Sequence, residues 1–149
     1  MPPARTYPAV PSGSIVAAEP QLLVRNLATS LDFYTTKLGF QAVFAYGEPA
    51  FYAQVSRQGG RLNLRSVRYP IYHPDFLSRE PDVLAATLIV SDPELIFAEL
   101  REAGVKFYQQ LKTEAWGART FIVCDPDGNL LCFAGEARRT PWDEQQITT

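Results

Sequence analysis

Few side chains in this chain are of the kinds that usually carry out chemistry. The 149 residues include one histidine, His73, and two cysteines, Cys124 and Cys132. A thiol acts as a nucleophile when an adjacent base or a helix terminus lowers its pKa. No such neighbour is evident in the sequence around Cys132, so we expect an inert buried thiol there. His73 lies in the polar connection YPIYHPDFLSREP, where we expect a solvated imidazole.

The two cysteines flank a turn with the sequence DPDGN, residues 125–129. Proline presets a φ of about −65°, and the residues after it tolerate positive φ, so the pattern predicts a tight hairpin loop. Counting partners outward from this loop places Cys124 and Cys132 on a diagonal, about 7–8 Å apart. That separation is too long for a disulfide bond, and we expect two free thiols.

Composition excludes several classes of function. The chain is 46% apolar and 20% charged, as in ordinary globular proteins, and its net charge of −2 provides no basic field for nucleic acid. No apolar run is long enough to span a bilayer, and prolines stand where a signal peptide would need its apolar segment. We expect a cytoplasmic protein with neither nucleic-acid nor membrane partners.

The length suits one compact domain or two small fused modules. We expect a domain at residues 19–136 between a flexible or docking arm and a polar tail. The predicted parts, as residue ranges, are an arm at 1–18, a first module at about 19–67, a linker at 68–82, a second module at about 83–136 and a tail at 137–149.

The elements that position the candidate residues occur twice along the chain. Residues 21–25 favour a strand, and the helix after it has one apolar stripe, formed by Leu27, Leu31, Tyr34 and Leu38. We expect Thr29 to cap this helix and Gly39 to end it. In the second copy, a strand at residues 85–90 precedes a helix that Asp92 caps, with Pro93 at its first position.

Three extended segments follow each helix. They are residues 41–46, 51–55 and 61–66 in the first copy and residues 106–110, 120–124 and 130–134 in the second. The sequence therefore predicts an α+β fold of two β-α-β-β-β modules, whose curved mixed sheets surround a cleft. A ligand, the other module or another subunit must fill the concave face.

Two segments resemble signatures of the vicinal oxygen chelate superfamily, which includes glyoxalase I, extradiol dioxygenases, fosfomycin-resistance enzymes and bleomycin-resistance proteins. VRNLATSLDFYTTKLGF, residues 24–40, is similar to the first-helix signature, and DPDGNLLCF, residues 125–133, to the last hairpin. TEAWGARTFIVCDPDGNLLCFAGE, residues 113–136, most resembles the bleomycin-resistance branch. The resemblance covers about residues 19–136 and implies a homodimer with clefts shared between subunits.

The resemblance also implies where a metal would bind. Enzymes of the superfamily hold a divalent metal with His or Glu side chains at positions that correspond here to Glu19, Asn63, Ala85 and Cys132. Zinc, nickel or iron needs about three ligands of carboxylate, imidazole or thiolate type. Glu19 is the one candidate metal ligand, so we expect neither a metal nor another cofactor.

Strand alternation predicts which side chains line the cleft. The candidate ligand-binding residues are Tyr52, Gln54, Asn63, Arg65, Thr87, Cys132 and, in a loop, Trp116. Such a mixed lining suits a neutral or weakly acidic organic ligand with planar groups.

Three of these residues have two interpretations each. Trp116 either stacks on a planar ligand or plugs an interface between modules. Tyr52 either contacts the ligand or packs within its sheet. Arg65 either binds a carboxylate or phosphate or pairs with Glu19 across the sheet, and we favour the ion pair.

These inferences favour a metal-free, homodimeric binding protein of the bleomycin-resistance type, which sequesters a planar or glycopeptide-like molecule such as an antibiotic. The alternative is an enzyme of the same superfamily, a lyase, isomerase or dioxygenase with an atypical or absent metal site. A scaffold without a small ligand is a third possibility. Residues 66–81 are either a lid or an inert connector.

Overall fold

The computed structural model describes residues 7–137, which contain two four-stranded mixed sheets. The first sheet, in the order β1-β4-β3-β2, comprises β1 (Gln21–Val24), β2 (Gln41–Gly47), β3 (Ala50–Arg57) and β4 (Gly60–Ser66). The second, in the order β5-β8-β7-β6, comprises β5 (Leu84–Ile89), β6 (Phe107–Thr113), β7 (Ala118–Cys124) and β8 (Leu130–Glu136). In each sheet the first strand pairs in parallel with the last. The predicted α+β fold of two β-α-β-β-β modules is confirmed.

One helix follows the first strand of each module. In the first, α1 (Leu27–Asp32) continues into a π-helical turn, Phe33–Lys37. Its cap is Asn26, because this residue is still extended and its side chain accepts the Thr29 N–H at 3.0 Å. The prediction that Thr29 caps the helix is therefore wrong by one turn.

The second module begins its helix as predicted. The Asp92 carboxylate accepts the backbone N–H of Leu95, and Pro93 opens the helix α3 (Pro93–Glu102). Proline is favoured there because the first helical N–H has no partner inside the helix.

A short helix, α2 (Pro74–Arg79), lies inside the connection between the modules, where the sequence predicted only a polar linker. His73 caps it, since Nδ1 accepts the Asp75 N–H at 3.1 Å. This imidazole is exposed, as expected, and has a local structural role. Among the described residues no helix is long and apolar enough to cross a membrane.

The helices lie between the two sheets and share one hydrophobic core with both of them. That core includes Leu22 and Leu64 of the first sheet, Phe121 and Leu131 of the second, and the helical residue Leu100. Because each sheet packs one face on the helices, its other face points away from the core. We call these outer faces the module 1 face, which carries Gln54 and Asn63, and the module 2 face, which carries Ile122 and Cys132.

The turn between β7 and β8 joins the modules. It forms a tight hairpin, as predicted, but its side chains also reach the first module. The Asn129 amide donates to the Leu23 carbonyl at 2.9 Å, and the Asp127 carboxylate accepts the Arg25 N–H at 3.0 Å. The relative placement of the two faces therefore depends on this turn.

Both cysteines are free thiols, as predicted. Cys124 pairs in register with Leu130, and Cys132 with Ile122, which gives the diagonal placement expected from the turn. The first six residues of the predicted arm, and the predicted tail from residue 138 onward, lie outside the described residues.

Candidate functional site

The predicted site residues divide between the two outer faces. Tyr52, Gln54, Asn63 and Arg65 belong to the first sheet, whereas Thr87, Trp116 and Cys132 belong to the second module. One chain therefore does not bring the two groups together around a single cleft. Strand alternation locates side chains within a sheet, but the packing of two modules depends on contacts that are distant in sequence.

A buried polar cluster occupies the centre of the module 1 face. Gln54 and Asn63 are opposite each other in register and fully buried. Gln54 Nε2 donates to Asn63 Oδ1 at 2.9 Å and to Glu19 Oε1 at 3.1 Å. Asn63 Nδ2 also donates to Glu19 Oε1, at 3.1 Å. The Glu19 carboxylate thus fixes the orientation of two amides.

The amide oxygen of Gln54 is enclosed within this cluster. Gln54 Oε1 is buried and has no hydrogen-bond partner within the described part of the chain. Because Gln54 Nε2 is already committed to Glu19 and Asn63, the amide cannot reverse without losing both bonds.

The expected ion pair between Arg65 and Glu19 does not form, and that prediction is wrong. Glu19 Oε1 accepts hydrogen bonds from Gln54 and Asn63 instead. Arg65 is exposed, and it forms no hydrogen bond or ion pair with any residue from 7 to 137. Its guanidinium is available on the module 1 face.

Tyr52 lies beside Arg65 on this face and is held by its neighbours. Its hydroxyl donates to Gln21 Oε1 at 3.2 Å. Its ring stacks on Phe44, with centroids 5.9 Å apart and planes at 29°. Packing therefore accounts for much of Tyr52, which is half-buried.

The module 2 face has an apolar centre that is separate from the main core. Ile122, Leu130 and Cys132 form this buried cluster, with Cys124 and Ala134 packed against it. The exposed Thr87 lies beside Cys132 in register on the neighbouring strand. This face offers a planar ligand an apolar floor.

A polar group borders that floor. The Thr120 hydroxyl donates to Glu114 Oε1 at 2.7 Å and accepts from Gln109 Nε2 at 3.1 Å. The sequence analysis did not single out these three residues. Strand alternation could have identified Thr120, because Thr120 and Ile122 lie on the same face of β7. Glu114 lies just after β6, where alternation gives no guidance.

The Cys132 thiol is not activated. Burial raises its pKa, and the negative charge of Glu114 raises it further. A thiol with a raised pKa is protonated at neutral pH and is a poor nucleophile. This agrees with the expectation of an inert buried thiol.

Trp116 is exposed at one end of the module 2 face. Its side chain is 76% accessible, and Gly117 after it has a φ of +95°, which favours glycine. Trp116 borders a depression together with Ile89, which is 80% accessible, and Ala134. An indole this exposed does not plug an interface between the modules of one chain.

At the opposite end of the module 2 face, the Tyr108 hydroxyl donates a hydrogen bond to the Asp82 carboxylate. Tyr108 belongs to β6, and Asp82 lies just before β5, the strand at the other edge of the sheet. A contact between opposite edges requires a strongly curled sheet. The face is therefore a concave trough, as predicted.

A separate cavity of about 660 Å³ lies between the β3–β4 turn and β5. Its walls are largely apolar and include Phe40, Leu62, Leu88, Val90, Ile96 and Phe133. Thr87 is the one predicted site residue among its lining residues. This cavity lies between residues of the two modules, and Ala18 and Pro20, on either side of Glu19, also line it.

The donors at the superfamily's metal positions do not fit a metal ion. Ala85 packs against the main core and has no donor, and Glu19 lies just before β1 of the first sheet whereas Cys132 lies on β8 of the second. Within residues 7–137, no three His, Cys, Asp or Glu side chains are grouped closely enough to hold an ion.

Comparison with known proteins places the chain in a family. Residues 15–133 match the model of the Glyoxalase/Bleomycin resistance protein/Dioxygenase superfamily. No curated protein matches the chain.

Solved structures share the fold at low sequence identity. A glyoxalase/bleomycin resistance protein/dioxygenase from Alicyclobacillus acidocaldarius is 20% identical with a TM-score of 0.66, and the match covers 81% of this chain and 91% of that one. The bleomycin-binding protein of Streptomyces verticillus, complexed with copper(II)-bleomycin, is 22% identical with a TM-score of 0.65, over 84% and 98% of the two chains. A superfamily member from Sphaerobacter thermophilus is 26% identical with a TM-score of 0.62, over 83% and 98%. The match of residues 15–133 to the family model shows that the chain belongs to the Glyoxalase/Bleomycin resistance protein/Dioxygenase superfamily.

Proposed function

We propose that this protein binds a planar organic molecule reversibly and sequesters it without chemical change. The observation that carries the proposal is the exposed indole of Trp116 beside the apolar trough of the module 2 face. An aromatic ring presented to solvent next to an apolar surface is suited to stacking on a planar ligand. Trp116 would supply the stacking surface, and Ile89 and Ala134, which border the same depression, would line the floor.

The chemistry of the two faces favours binding over catalysis. The Cys132 thiol has a raised pKa, and the Glu19 carboxylate accepts hydrogen bonds from two amides. Neither arrangement pairs a nucleophile with a base.

The similarity to a bleomycin-binding protein supports a glycopeptide-like or other antibiotic-like ligand as one class to test. Because that similarity establishes only a shared fold, we propose an antibiotic-like ligand for this chain. The two unpaired thiols suit a reducing compartment, and we place the protein in the cytoplasm.

We further propose that the working unit is a homodimer. Within one chain, the amides of the module 1 face and the trough of the module 2 face point away from each other. If the module 2 face of one copy opposes the module 1 face of its partner, each cleft gains an apolar side and a polar side. The exposed apolar residues Leu23 of the module 1 face and Ile89 of the module 2 face are suited to such an interface.

Tryptophan fluorescence tests the binding proposal. The chain has two tryptophans, so the W142F variant leaves Trp116 as the sole indole. We expect metal-free bleomycin or planar aromatic acids to quench this variant with saturation at a fixed stoichiometry. The matched W116F variant should weaken binding about 2- to 10-fold by calorimetry. Affinity that is unchanged in W116F would refute the role of Trp116.

A further inference from the structure

We propose that the ligand carries a positive charge on its planar ring and that Trp116 and Glu136 recognise this cation together on the module 2 face. The inference deepens the proposed function and rests on it, since it names the class of ligand for the same depression. The sequence analysis predicted a neutral or weakly acidic ligand because the residues that it placed in the cleft included Arg65 and no carboxylate.

The depression beside Trp116 carries a negative charge. Glu136 is the one ionisable side chain among the described residues that line it. Alternation along β8 places Glu136 on the same face as Cys132 and Ala134. Glu136 is exposed, and it forms no hydrogen bond or ion pair with any other residue from 7 to 137. Its carboxylate is therefore available at the edge of an otherwise uncharged depression.

The indole borders the same depression from a fixed turn. The Glu114 N–H donates to the Ala118 carbonyl at 2.7 Å, and the Gly117 N–H donates to the Glu114 carbonyl at 2.9 Å. This turn holds Trp116 two residues before Ala118, which is the register partner of Glu136 on the neighbouring strand. A cation bound between the ring and the carboxylate can therefore contact both.

The floor of the depression is preformed. The Val90 N–H donates to the Ala134 carbonyl at 2.8 Å, which fixes the end of β5 against β8. Gly135 packs so closely there that a Cβ would overlap the Val90 carbonyl oxygen. Ile89, which is 80% accessible, adds an apolar surface. A planar ring can lie on this surface without reorganisation of the backbone, which lowers the cost of binding.

The other charged side chains at this end of the second sheet have partners. Lys112 lies 3.6 Å from Glu114, so these two charges offset each other. Arg119 points toward α3, where it pairs with Glu94 at 3.4 Å. Within the described part of the chain, no cation therefore compensates the charge of Glu136.

The indole and the carboxylate suit a delocalised cation such as an amidinium, a guanidinium or a charged heterocycle. The face of an indole attracts a cation through its quadrupole, and a carboxylate accepts hydrogen bonds from the N–H groups of the cation. A planar acid would share the stacking on Trp116 but would be repelled by Glu136. Such an acid should therefore bind more weakly than a neutral ring of the same size.

Calorimetry with three probes of one shape tests the proposal on the full-length protein. The probes 2-naphthamidine, 2-naphthamide and 2-naphthoate share one ring system and are respectively cationic, neutral and anionic at neutral pH. We expect the affinity to fall in that order, with the amidine bound at least about tenfold more tightly than the acid. Raising the salt from about 50 to about 500 mM should reduce this ratio of affinities.

Two charge-matched variants locate the preference. E136Q and E102Q each remove one negative charge, but Glu102 is an exposed residue at the end of α3 and does not line the depression. We expect E136Q to reduce the ratio of amidine to acid affinity at least about threefold, and E102Q to leave it unchanged. The affinity of the neutral amide should be the same in both variants and the wild type, because the apolar contacts of the ring are retained.

Each other outcome overturns the inference. Equal affinities of the three probes for the wild type would show that charge is not recognised, while the proposed binding function would stand. A ratio that is undiminished in E136Q would place recognition of the cation elsewhere. If none of the three probes binds, the planar-cation proposal fails, and quenching of Trp116 by bleomycin would still support ligand binding.

Discussion

The Tyr34 hydroxyl donates to Asp125 Oδ2 at 2.9 Å across 91 residues of sequence, and both side chains are buried. Tyr34 belongs to the π-helical turn of the first module, and Asp125 opens the β7–β8 turn of the second. The other Asp125 oxygen accepts the backbone N–H groups of Asp127 and Asn129, each at 2.8 Å. A carboxylate that closes a hairpin therefore also fastens the two modules together.

Removal of the Tyr34 hydroxyl should destabilise the whole fold. Tyr34→Phe leaves the buried Asp125 without one of its donors, which should lower the free energy of unfolding by about 1–3 kcal/mol. Urea denaturation measures this change. Tyr69→Phe is the control, since Tyr69 is 81% accessible and should tolerate the change. Equal stabilities of the two variants would contradict the fastening role.

Asp125 should also give stability a particular pH dependence. Burial raises the pKa of its carboxyl above the ordinary value, against hydrogen bonds from Asn129, Tyr34 and the turn backbone that lower it. A raised pKa means that the folded state binds the proton more readily than the unfolded state. The contribution of Asp125 to stability therefore increases as the pH falls through this raised pKa toward roughly 4.

Asp125→Asn serves as the reference that does not titrate. As the pH is lowered from 7 to about 4, the free energy of unfolding of the wild type should increase relative to that of this variant. Urea unfolding at several pH values measures this difference. If this difference instead decreases as the pH falls, the hydrogen bonds that lower the pKa of Asp125 outweigh the burial that raises it.

The repeat and its strands were predictable because their signals are local. Each element could be predicted from its own stretch of sequence. The signals were alternating apolar residues in the strands, the helical apolar stripe that includes Tyr34, and the glycines at the helix ends. Alternation also placed Asn63 and Arg65 on the face opposite Leu62 and Leu64.

The failures of the sequence analysis concern contacts that local patterns do not encode. Arg65 and Glu19 have opposite charges, but hydrogen bonds from Gln54 and Asn63 occupy the Glu19 oxygen. The two faces point apart because buried contacts such as Tyr34 to Asp125 place the helices between the sheets. Helix α2 escaped notice because its start signal, a histidine cap before Pro74, is unusual.

Cys132 should react slowly with alkylating reagents. Burial raises its pKa, so the reactive thiolate is scarce at neutral pH and becomes abundant only as the pH rises above the ordinary thiol value of about 8.5. Iodoacetamide labelling of the C124S variant, followed by mass spectrometry, isolates this thiol. Urea-unfolded protein is the control and should be labelled rapidly at neutral pH. Rapid labelling of the folded variant at pH 7 would contradict the assignment of an inert thiol.

Gly135 should not tolerate a side chain. A Cβ there would overlap the Val90 carbonyl oxygen and lie 2.7 Å from Pro93 Cγ, between β8 and the start of α3. Gly135→Ala should lower the free energy of unfolding by about 1–3 kcal/mol. Gly59→Ala is the control, because a Cβ at Gly59 meets nothing within 4 Å. A stable Gly135→Ala variant would mean that α3 shifts easily on the sheet.

The most direct test of the central claim is the mass of a ligand recovered from its complex. Protein would be incubated for hours with an excess of a compound that quenches Trp116, and the compound would then be released by denaturation and weighed by mass spectrometry. Sequestration predicts full recovery at the original mass and a protein without adduct. Product that accumulates beyond the amount of protein would establish catalysis, and a covalent adduct on the chain would likewise contradict sequestration without chemical change.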